Sequence, residues 1–162
     1  MDLRERKPNR IPGYDYGQNG VYFVTICTQD RKHTLSRIVG DGFPVPKPIG
    51  TIAENLIRQI PDRYPSVSVD NYVIMPDHIH ILLHISSEFG TGNPSPTLGT
   101  IVGWYKYQLT RQANLLAGTQ GQRILQRSYY DHVIRNQHDY NEIWDYITNN
   151  PRKWIIQKRG YE

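Results

Sequence analysis

One short segment constrains the fold more than any other, because it combines an apolar face with a histidine face. Residues 77–85 read Asp-His-Ile-His-Ile-Leu-Leu-His-Ile, and Pro76 separates them from a second run rich in β-branched residues, 72–75. Both runs are typical of β-strands, in which successive side chains point to opposite faces. One face carries Ile79, Ile81, Leu83 and Ile85, and the other carries His78, His80, Leu82 and His84. The pattern predicts a polar site mounted on an apolar-backed sheet.

His78 and His80 lie two residues apart on one face of this predicted strand. Their Cα atoms are about 6.7 Å apart in an extended chain, so both imidazoles can reach one metal ion. His84 lies about 13 Å along the strand from His80, which is too far for the same ion. A strand histidine is often solvated or hydrogen-bonded rather than a ligand, so a metal site needs a third ligand from elsewhere.

Length and composition predict a single cytoplasmic domain. The 162 residues fit one domain with an ordinary core, and Cys27 is the only cysteine. Neither a disulfide framework nor a thiolate zinc cluster can form within one chain, which favours a reducing compartment. The chain has no long apolar run, and its charged N-terminus does not resemble a signal peptide. We therefore expect no membrane partner.

Basic residues are concentrated near both ends of the chain, although the net charge is only +4. They are Arg4, Arg6, Lys7 and Arg10 before the first predicted strand, and Arg152, Lys153, Lys158 and Arg159 after the last predicted helix. Basic ends suit a polyanion such as nucleic acid, but they also serve solubility alone. Twelve tyrosines and three tryptophans add aromatic faces on which unpaired bases can stack.

The hydrophobic pattern predicts alternating strands and helices without an internal repeat. Strands are predicted at 21–28, 67–75, 77–85 and within 122–134, and helices at 49–60, from 98 onwards and at about 139–150. The first helix is expected to end at Pro61, and residues 40–48 are expected to form a Pro/Gly loop. The order β-α-β-β-α-β-α predicts an α+β, ferredoxin-like split βαβ fold: an antiparallel sheet with helices on one face and an added C-terminal helix.

Tyr146 and Asn150 lie four residues apart on the last predicted helix and project from the same side. Pro151 disfavours further helix, so Asn150 is expected near the helix end. If this helix packs across the sheet, a phenol and a carboxamide can both face the histidine strand. Otherwise Tyr146 is an ordinary packing aromatic and Asn150 a helix-end residue.

Four pieces of the sequence, in this order, closely resemble the REP-associated tyrosine transposases, relatives of the small single-tyrosine insertion-sequence transposases. The pieces are VYFVTICT at 21–28, NYVIMPDHIH at 71–80, YYDHVIRN at 129–136 and YITNNP at 146–151. The resemblance extends from about Arg10 to Trp154. It implies DNA transposition through cleavage and rejoining of single-stranded DNA, with a covalent 5′-phosphotyrosine intermediate and with targets that contain hairpins.

The resemblance also implies a role for each site residue. His78 and His80 match the metal-binding pair, Tyr146 matches the nucleophile, and Asn150 matches the third protein ligand of a divalent ion, Mg²⁺ or Mn²⁺. A phenol with a pKa of about 10 is a poor nucleophile at neutral pH and needs a polarised target, which a metal-bound phosphate supplies. Residues 1–162 are expected to form one such domain, with 1–20 as a basic arm and 137–151 as the nucleophile helix.

Two other functions are compatible with the same residues. One is a rolling-circle initiator or relaxase-type nickase, which fits less well because the chain is short and has no helicase domain. The other is a non-catalytic nucleic-acid-binding module on the same fold. The chain is compatible with a monomer or a homodimer, and with a site formed within one chain or between two.

Several further residues are candidates for supporting roles. Arg127 and Arg135, together with Arg4, Arg6, Lys7 and Arg10, are candidate contacts to DNA phosphates. Tyr129 and Tyr130 are rival nucleophiles, although their strand positions favour packing. His132 could approach the site, but a structural hydrogen bond is the simpler expectation. Lys106 is expected to belong to the polar face of the second helix.

Overall fold

A four-stranded antiparallel sheet forms the centre of the computed structural model, which describes residues 20–86 and 96–159. The sheet contains β1 (Gly20–Cys27), β4 (Val67–Ile74), β5 (His78–Ile85) and β6 (Tyr130–Ile134). A separate hairpin consists of β2 (Ser36–Val39) and β3 (Phe43–Pro46). The helices are α1 (Pro48–Arg63), α2 (Leu98–Ala117) and α3 (Gln137–Arg159). Across the described ranges, none of these helices combines the length and apolar character that a membrane crossing requires.

The strand order in the sheet is β4-β5-β1-β6, and every neighbouring pair is antiparallel. The predicted α+β, split βαβ fold is therefore confirmed, with β4 and β6 at the edges. The two central strands are paired so that Thr25 lies opposite His80 and Cys27 lies opposite His78. Directly opposite residues share a face, so this register places Thr25 beside the histidine pair.

The two faces of the sheet are covered by different helices. The face with Ile79 and Ile81 forms the main core with apolar side chains of α1 and α2, including Leu56 and Tyr105. The opposite face forms a smaller cluster in which Ile147 of α3 packs with three buried residues of the sheet face. The predicted alternation along β5 is confirmed, and the last helix packs on the histidine face.

The last helix continues beyond Pro151 to Arg159, so the predicted end at Asn150 is wrong. Proline removes one helical hydrogen bond and crowds the preceding turn, but packing beyond it compensates. Trp154 contacts the His33 ring at a centroid distance of 5.3 Å and joins the smaller cluster. Gly42, at the turn of the β2–β3 hairpin, lies so close to Arg152 that a Cβ there would be 2.9 Å from the Arg152 Cα. Arg152 and Lys153 are therefore helical residues rather than a basic tail.

Two smaller predictions also differ from the structure, and proline is involved in both. Residues 40–48 contain β3, because prolines are tolerated in a short, exposed hairpin strand that needs few ladder hydrogen bonds. Helix α1 begins at Pro48 and includes Pro61 before it ends at Arg63. Pro48 stands at the helix start, where a missing N–H costs little, and Pro61 lies in the final turn.

Candidate active site

A cavity of about 580 Å³ lies between the sheet and α3, and we call it the α3 cavity. It is lined by all four residues to which the sequence assigns catalysis or metal binding: His78, His80, Tyr146 and Asn150. The structure thus brings together side chains from two elements that are far apart in the sequence, since β5 ends at Ile85 and α3 begins at Gln137. His84 is exposed and does not line the cavity, in agreement with its predicted exclusion.

The two imidazoles of the pair lie next to each other in an edge-to-face arrangement, and each is held through its Nδ1 atom. Their ring centroids are 4.5 Å apart. His78 Nδ1 donates to the Asp77 carboxylate at 2.7 Å, and His80 Nδ1 shares a hydrogen bond of 2.9 Å with the Thr25 hydroxyl. Such partners fix the orientation of a metal-binding histidine. Because Asp77 can only accept, a neutral His78 has its free lone pair on Nε2.

His80 is the more buried member of the pair, with an exposed fraction of 4%. Burial, and secondarily the electrostatic influence of the nearby His78 and Arg31 side chains, holds the pKa of His80 well below its ordinary value. Its Nε2 atom is buried and has no hydrogen-bond partner within the described residues. A buried polar atom without a partner is costly, and a neutral imidazole nitrogen is a good metal ligand. The pair therefore fits a divalent ion.

Asp77 connects the pair to Arg31, which follows β1. Its Oδ2 atom accepts from Arg31 Nε at 3.0 Å. Burial acts to raise the pKa of Asp77, but hydrogen bonds from His78 and Arg31 outweigh burial and lower it. Asp77 is thus an anion at neutral pH. Arg31 has a φ of 53°, which non-glycine residues rarely adopt, and it also contacts the Cys27 sulfur at 3.2 Å.

Tyr146 lies beside the pair on the opposite wall of the α3 cavity. Its ring centroid is 5.4 Å from that of His80 and 6.0 Å from that of Phe23, which it meets edge-on. The Tyr146 residue is 40% exposed, so its side chain is accessible to solvent. Lys153 Nζ lies 5.3 Å from the centre of the Tyr146 ring. A phenol, two imidazoles and an ammonium group therefore share one solvent-accessible site.

Asn150 lines the same cavity one helical turn beyond Tyr146 and is 8% exposed. In the described part of the chain, no group of three His, Cys, Asp or Glu side chains could hold a metal ion. A metal at the histidine pair therefore needs a different kind of third ligand, and the Asn150 amide oxygen is of a suitable type. Its role as a ligand stays a prediction.

Lys153 and Thr25 are site residues that the sequence analysis missed. Lys153 follows Tyr146 by seven residues and Asn150 by three, so a continuous helix places all three on one side. Because the predicted helix ends near Asn150, the prediction does not place Lys153 on the helix with Tyr146. The strand alternation of β1 places Thr25 on the same face as Phe23, but only the pairing of β1 with β5 brings it to His80.

The other predicted candidates that the structure describes do not line the α3 cavity. The basic residues Arg4, Arg6, Lys7 and Arg10 lie outside the described residues. Arg127 and Arg135 are exposed, and neither lines this cavity. His132 Nε2 hydrogen-bonds the Asp139 carboxylate at 2.8 Å, which confirms the structural interpretation. Tyr129 packs against the main core, and Tyr130 is half-buried in β6.

Lys106 does not belong to a simple polar face, contrary to expectation. Its Nζ donates to three successive backbone carbonyls, those of Gln126 at 2.7 Å, Arg127 at 2.8 Å and Ser128 at 3.3 Å. Burial, and secondarily the charge of Arg123, lowers the pKa of Lys106 to about 8. The side chain therefore fixes the segment that leads into β6. Only the tertiary fold brings α2 and this segment together.

Two curated proteins of Haemophilus influenzae resemble this chain, whereas no protein-family model matches it. One, named "Uncharacterized protein", is 28% identical and aligns with 94% of this chain and 91% of its own length. The other, named "Putative REP-associated tyrosine transposase", is also 28% identical and aligns with 86% of this chain and 74% of its own length.

Two solved structures share the fold. A REP-associated tyrosine transposase bound to a REP hairpin superposes with a TM-score of 0.57 and 21% identity, over 94% of this chain and 74% of that one. A Deinococcus radiodurans protein described as a "putative transposase" gives a TM-score of 0.51 and 19% identity, over 86% of this chain and 95% of that one. The resemblance to REP-associated tyrosine transposases is therefore confirmed, in sequence by a relative of that name and in fold by a solved member.

Proposed function

We propose that this protein is a transposase that cleaves and rejoins single-stranded DNA, with Tyr146 as the nucleophile. Similarity in sequence and fold to proteins described as transposases supports the transposase role. One observation carries the chemical part of the proposal. The ring centroid of the partly exposed Tyr146 lies 5.4 Å from that of His80, the more buried member of the histidine pair. We further propose a hairpin-containing strand as substrate, because the solved neighbour is bound to a REP hairpin. The reaction would take place in the cytoplasm.

His78, His80 and Asn150 would hold a divalent metal ion, Mg²⁺ or Mn²⁺. The fit is supported by the buried, unpartnered Nε2 of His80 and by the amide in the same cavity. When bound, such an ion acts as a Lewis acid toward the scissile phosphate. Asp77 and Thr25 orient the two rings through Nδ1, so the Nε2 atoms need little reorganisation to serve as ligands.

In the proposed reaction, the Tyr146 oxygen attacks the phosphorus of the scissile phosphodiester. The new bond joins the tyrosine oxygen to phosphorus, and the bond from phosphorus to the 3′ oxygen breaks. The phenol gives up its proton, and the departing 3′ oxygen gains one and becomes a free hydroxyl. The 5′-phosphotyrosine conserves the phosphodiester, so a 3′-hydroxyl can reverse the step and rejoin DNA without an energy-supplying cofactor.

Lys153 would stabilise the negative charge that develops during this attack. Its ammonium group lies 5.3 Å from the centre of the Tyr146 ring and lines the α3 cavity. From this position it can contact either the forming phenolate or a non-bridging phosphate oxygen. A cation placed where charge develops lowers the barrier, because it is already oriented before the reaction.

We expect Lys153→Gln to slow single-turnover adduct formation by about 10- to 100-fold at saturating DNA. The matched control is Arg152→Gln, which removes the same charge from the neighbouring exposed residue outside the cavity. Rates are measured from the accumulation of denaturation-resistant protein–DNA complex. If both variants lose the same activity, Lys153 contributes only general attraction to DNA, and its specific role is wrong.

The proposed function is tested by the polarity of the covalent product. The protein is incubated with Mg²⁺ or Mn²⁺ and a hairpin-containing oligonucleotide labelled at one end, and the mixture is denatured and separated. A 5′-phosphotyrosine predicts that a 3′ label migrates with the protein and a 5′ label is released on a fragment ending in a 3′-hydroxyl. Attachment of the 5′ label would contradict the mechanism. Binding without an adduct would favour the non-catalytic module.

A further inference from the structure

A second groove, of about 390 Å³, lies between α2 and the segment that leads to β6. We call it the α2 groove. Its polar lining includes Lys106, Tyr107 and Thr110 of α2 together with Arg123 and Arg127 of the following segment. None of the residues that line it is acidic. The α2 groove is therefore basic, and it does not overlap the α3 cavity.

The charges of the α2 groove are available to a ligand. Arg123 and Arg127 are exposed, and neither forms an ion pair with an acidic residue in 20–86 or 96–159. Tyr107 is 65% exposed and presents an aromatic ring beside them. Two unneutralised guanidinium groups and an open aromatic ring are the combination that binds an unpaired nucleic-acid strand, through phosphates and a stacked base.

The backbone that carries the two arginines is held in place. Lys106 Nζ binds the carbonyls of residues 126–128, as described above. At the other end of the segment, the Asn114 amide donates to the Gln122 carbonyl at 2.9 Å. The arginine side chains therefore extend from a fixed frame, which lowers the entropy lost when they bind a ligand.

The α2 groove and the α3 cavity lie at the same end of the sheet. The Cys27 carbonyl accepts from the Gln126 N–H, and the Gln29 N–H donates to the Ile124 carbonyl, both at 2.9 Å. Arg31, two residues beyond Gln29, lines the α3 cavity. One short stretch of backbone thus separates the two sites, and a nucleic-acid strand can pass around the sheet end from one to the other.

We propose that the α2 groove binds the unpaired DNA strand that flanks the cleavage site, with Arg123 and Arg127 on its phosphates and Tyr107 on a base. The identity of the strand rests on the proposed function. An unpaired strand is favoured over a duplex because Tyr107 can stack only on a base that is not already paired and stacked. The groove would extend the substrate contact beyond the reacting phosphate and hold the strand during cleavage.

The test compares two oligonucleotides, one limited to the cleavage region and one extended on both sides by about eight unpaired nucleotides, within the range of single-strand site sizes. Binding is measured by fluorescence anisotropy in EDTA, so that DNA stays intact. We expect the wild-type protein to bind the longer strand about tenfold more tightly. The double variant Arg123→Gln/Arg127→Gln should lose that gain. The plot of log binding constant against log salt concentration should also become shallower by about 1.4, the value for the loss of two single-strand phosphate contacts.

The matched control is Arg63→Gln/Arg111→Gln, which removes two exposed arginines that do not line the groove. It should keep the gain from the longer strand, and circular dichroism should show that both variants are folded. Equal losses in the two variants, or equal binding of short and long strands by the wild-type protein, would overturn the proposal. Binding is measured without cleavage, so the two proposals are tested separately. A protein that forms the adduct but gains nothing from the longer strand would contradict only the α2 groove. A protein that shows the gain but forms no adduct would contradict only the proposed cleavage reaction.

Discussion

Tyr146→Phe is expected to abolish the covalent protein–DNA adduct while it leaves the fold and the affinity for DNA nearly unchanged. Phenylalanine lacks the oxygen that would bond to phosphorus, so the rate should fall by at least about 10⁴-fold, as is typical when a nucleophile is removed. The ring contacts with His80 and Phe23 do not require the hydroxyl group. Adduct formation with 3′-labelled DNA measures the loss, and urea denaturation measures the stability, which should change by less than about 0.5 kcal/mol.

Tyr130→Phe is the control for this variant, because Tyr130 is a rival nucleophile suggested by the sequence. It lies in β6, does not line the α3 cavity and should keep wild-type adduct formation. An adduct that persists in Tyr146→Phe would assign the nucleophile to another residue. An adduct lost in both variants would show that the assay responds to structural damage rather than to loss of the attacking oxygen.

The parts of the site that the sequence predicted are those set by local geometry. Two-residue alternation fixes which side chains of β5 share a face, so the separation of His78 from Ile79 follows from the strand itself. Helical spacing likewise fixes Tyr146 and Asn150 on one side of α3. The meeting of these two pairs depends on which sheet face α3 covers, and the residues alone left that open.

The errors arise where tertiary packing outweighs a local rule. A proline such as Pro151 usually disfavours a continuing helix. Beyond it, however, Trp154 packs on the His33 ring and Arg152 packs against Gly42, and these contacts stabilise the continuation. The same error removed Lys153 from the predicted site. Lys106 was assigned to a solvated face because its three carbonyl partners lie about twenty residues further along the chain. A sequence pattern does not report such long-range pairings.

His78→Ala is expected to eliminate metal-dependent cleavage without unfolding the domain. The substitution removes one of the two imidazoles of the proposed site, whereas Asp77 keeps its ion pair with Arg31. In the wild-type protein, EDTA should abolish adduct formation and added Mg²⁺ or Mn²⁺ should restore it. In His78→Ala, adduct formation should stay at least about 10³-fold below wild type at any metal concentration that leaves the protein soluble, by the loss of transition-state charge stabilisation.

A readout independent of activity separates loss of the metal from other damage. Titration with Mn²⁺, followed by calorimetry or electron paramagnetic resonance, should give a dissociation constant at least about 10-fold weaker in His78→Ala than in wild type. The matched control is His84→Ala, because His84 shares the strand and the face but is exposed outside the cavity. It should bind Mn²⁺ and cleave DNA like the wild-type protein. Full activity in His78→Ala, or an adduct that forms in EDTA, would remove the metal from the mechanism and leave Lys153 as a cation of the site that is available to the phosphate.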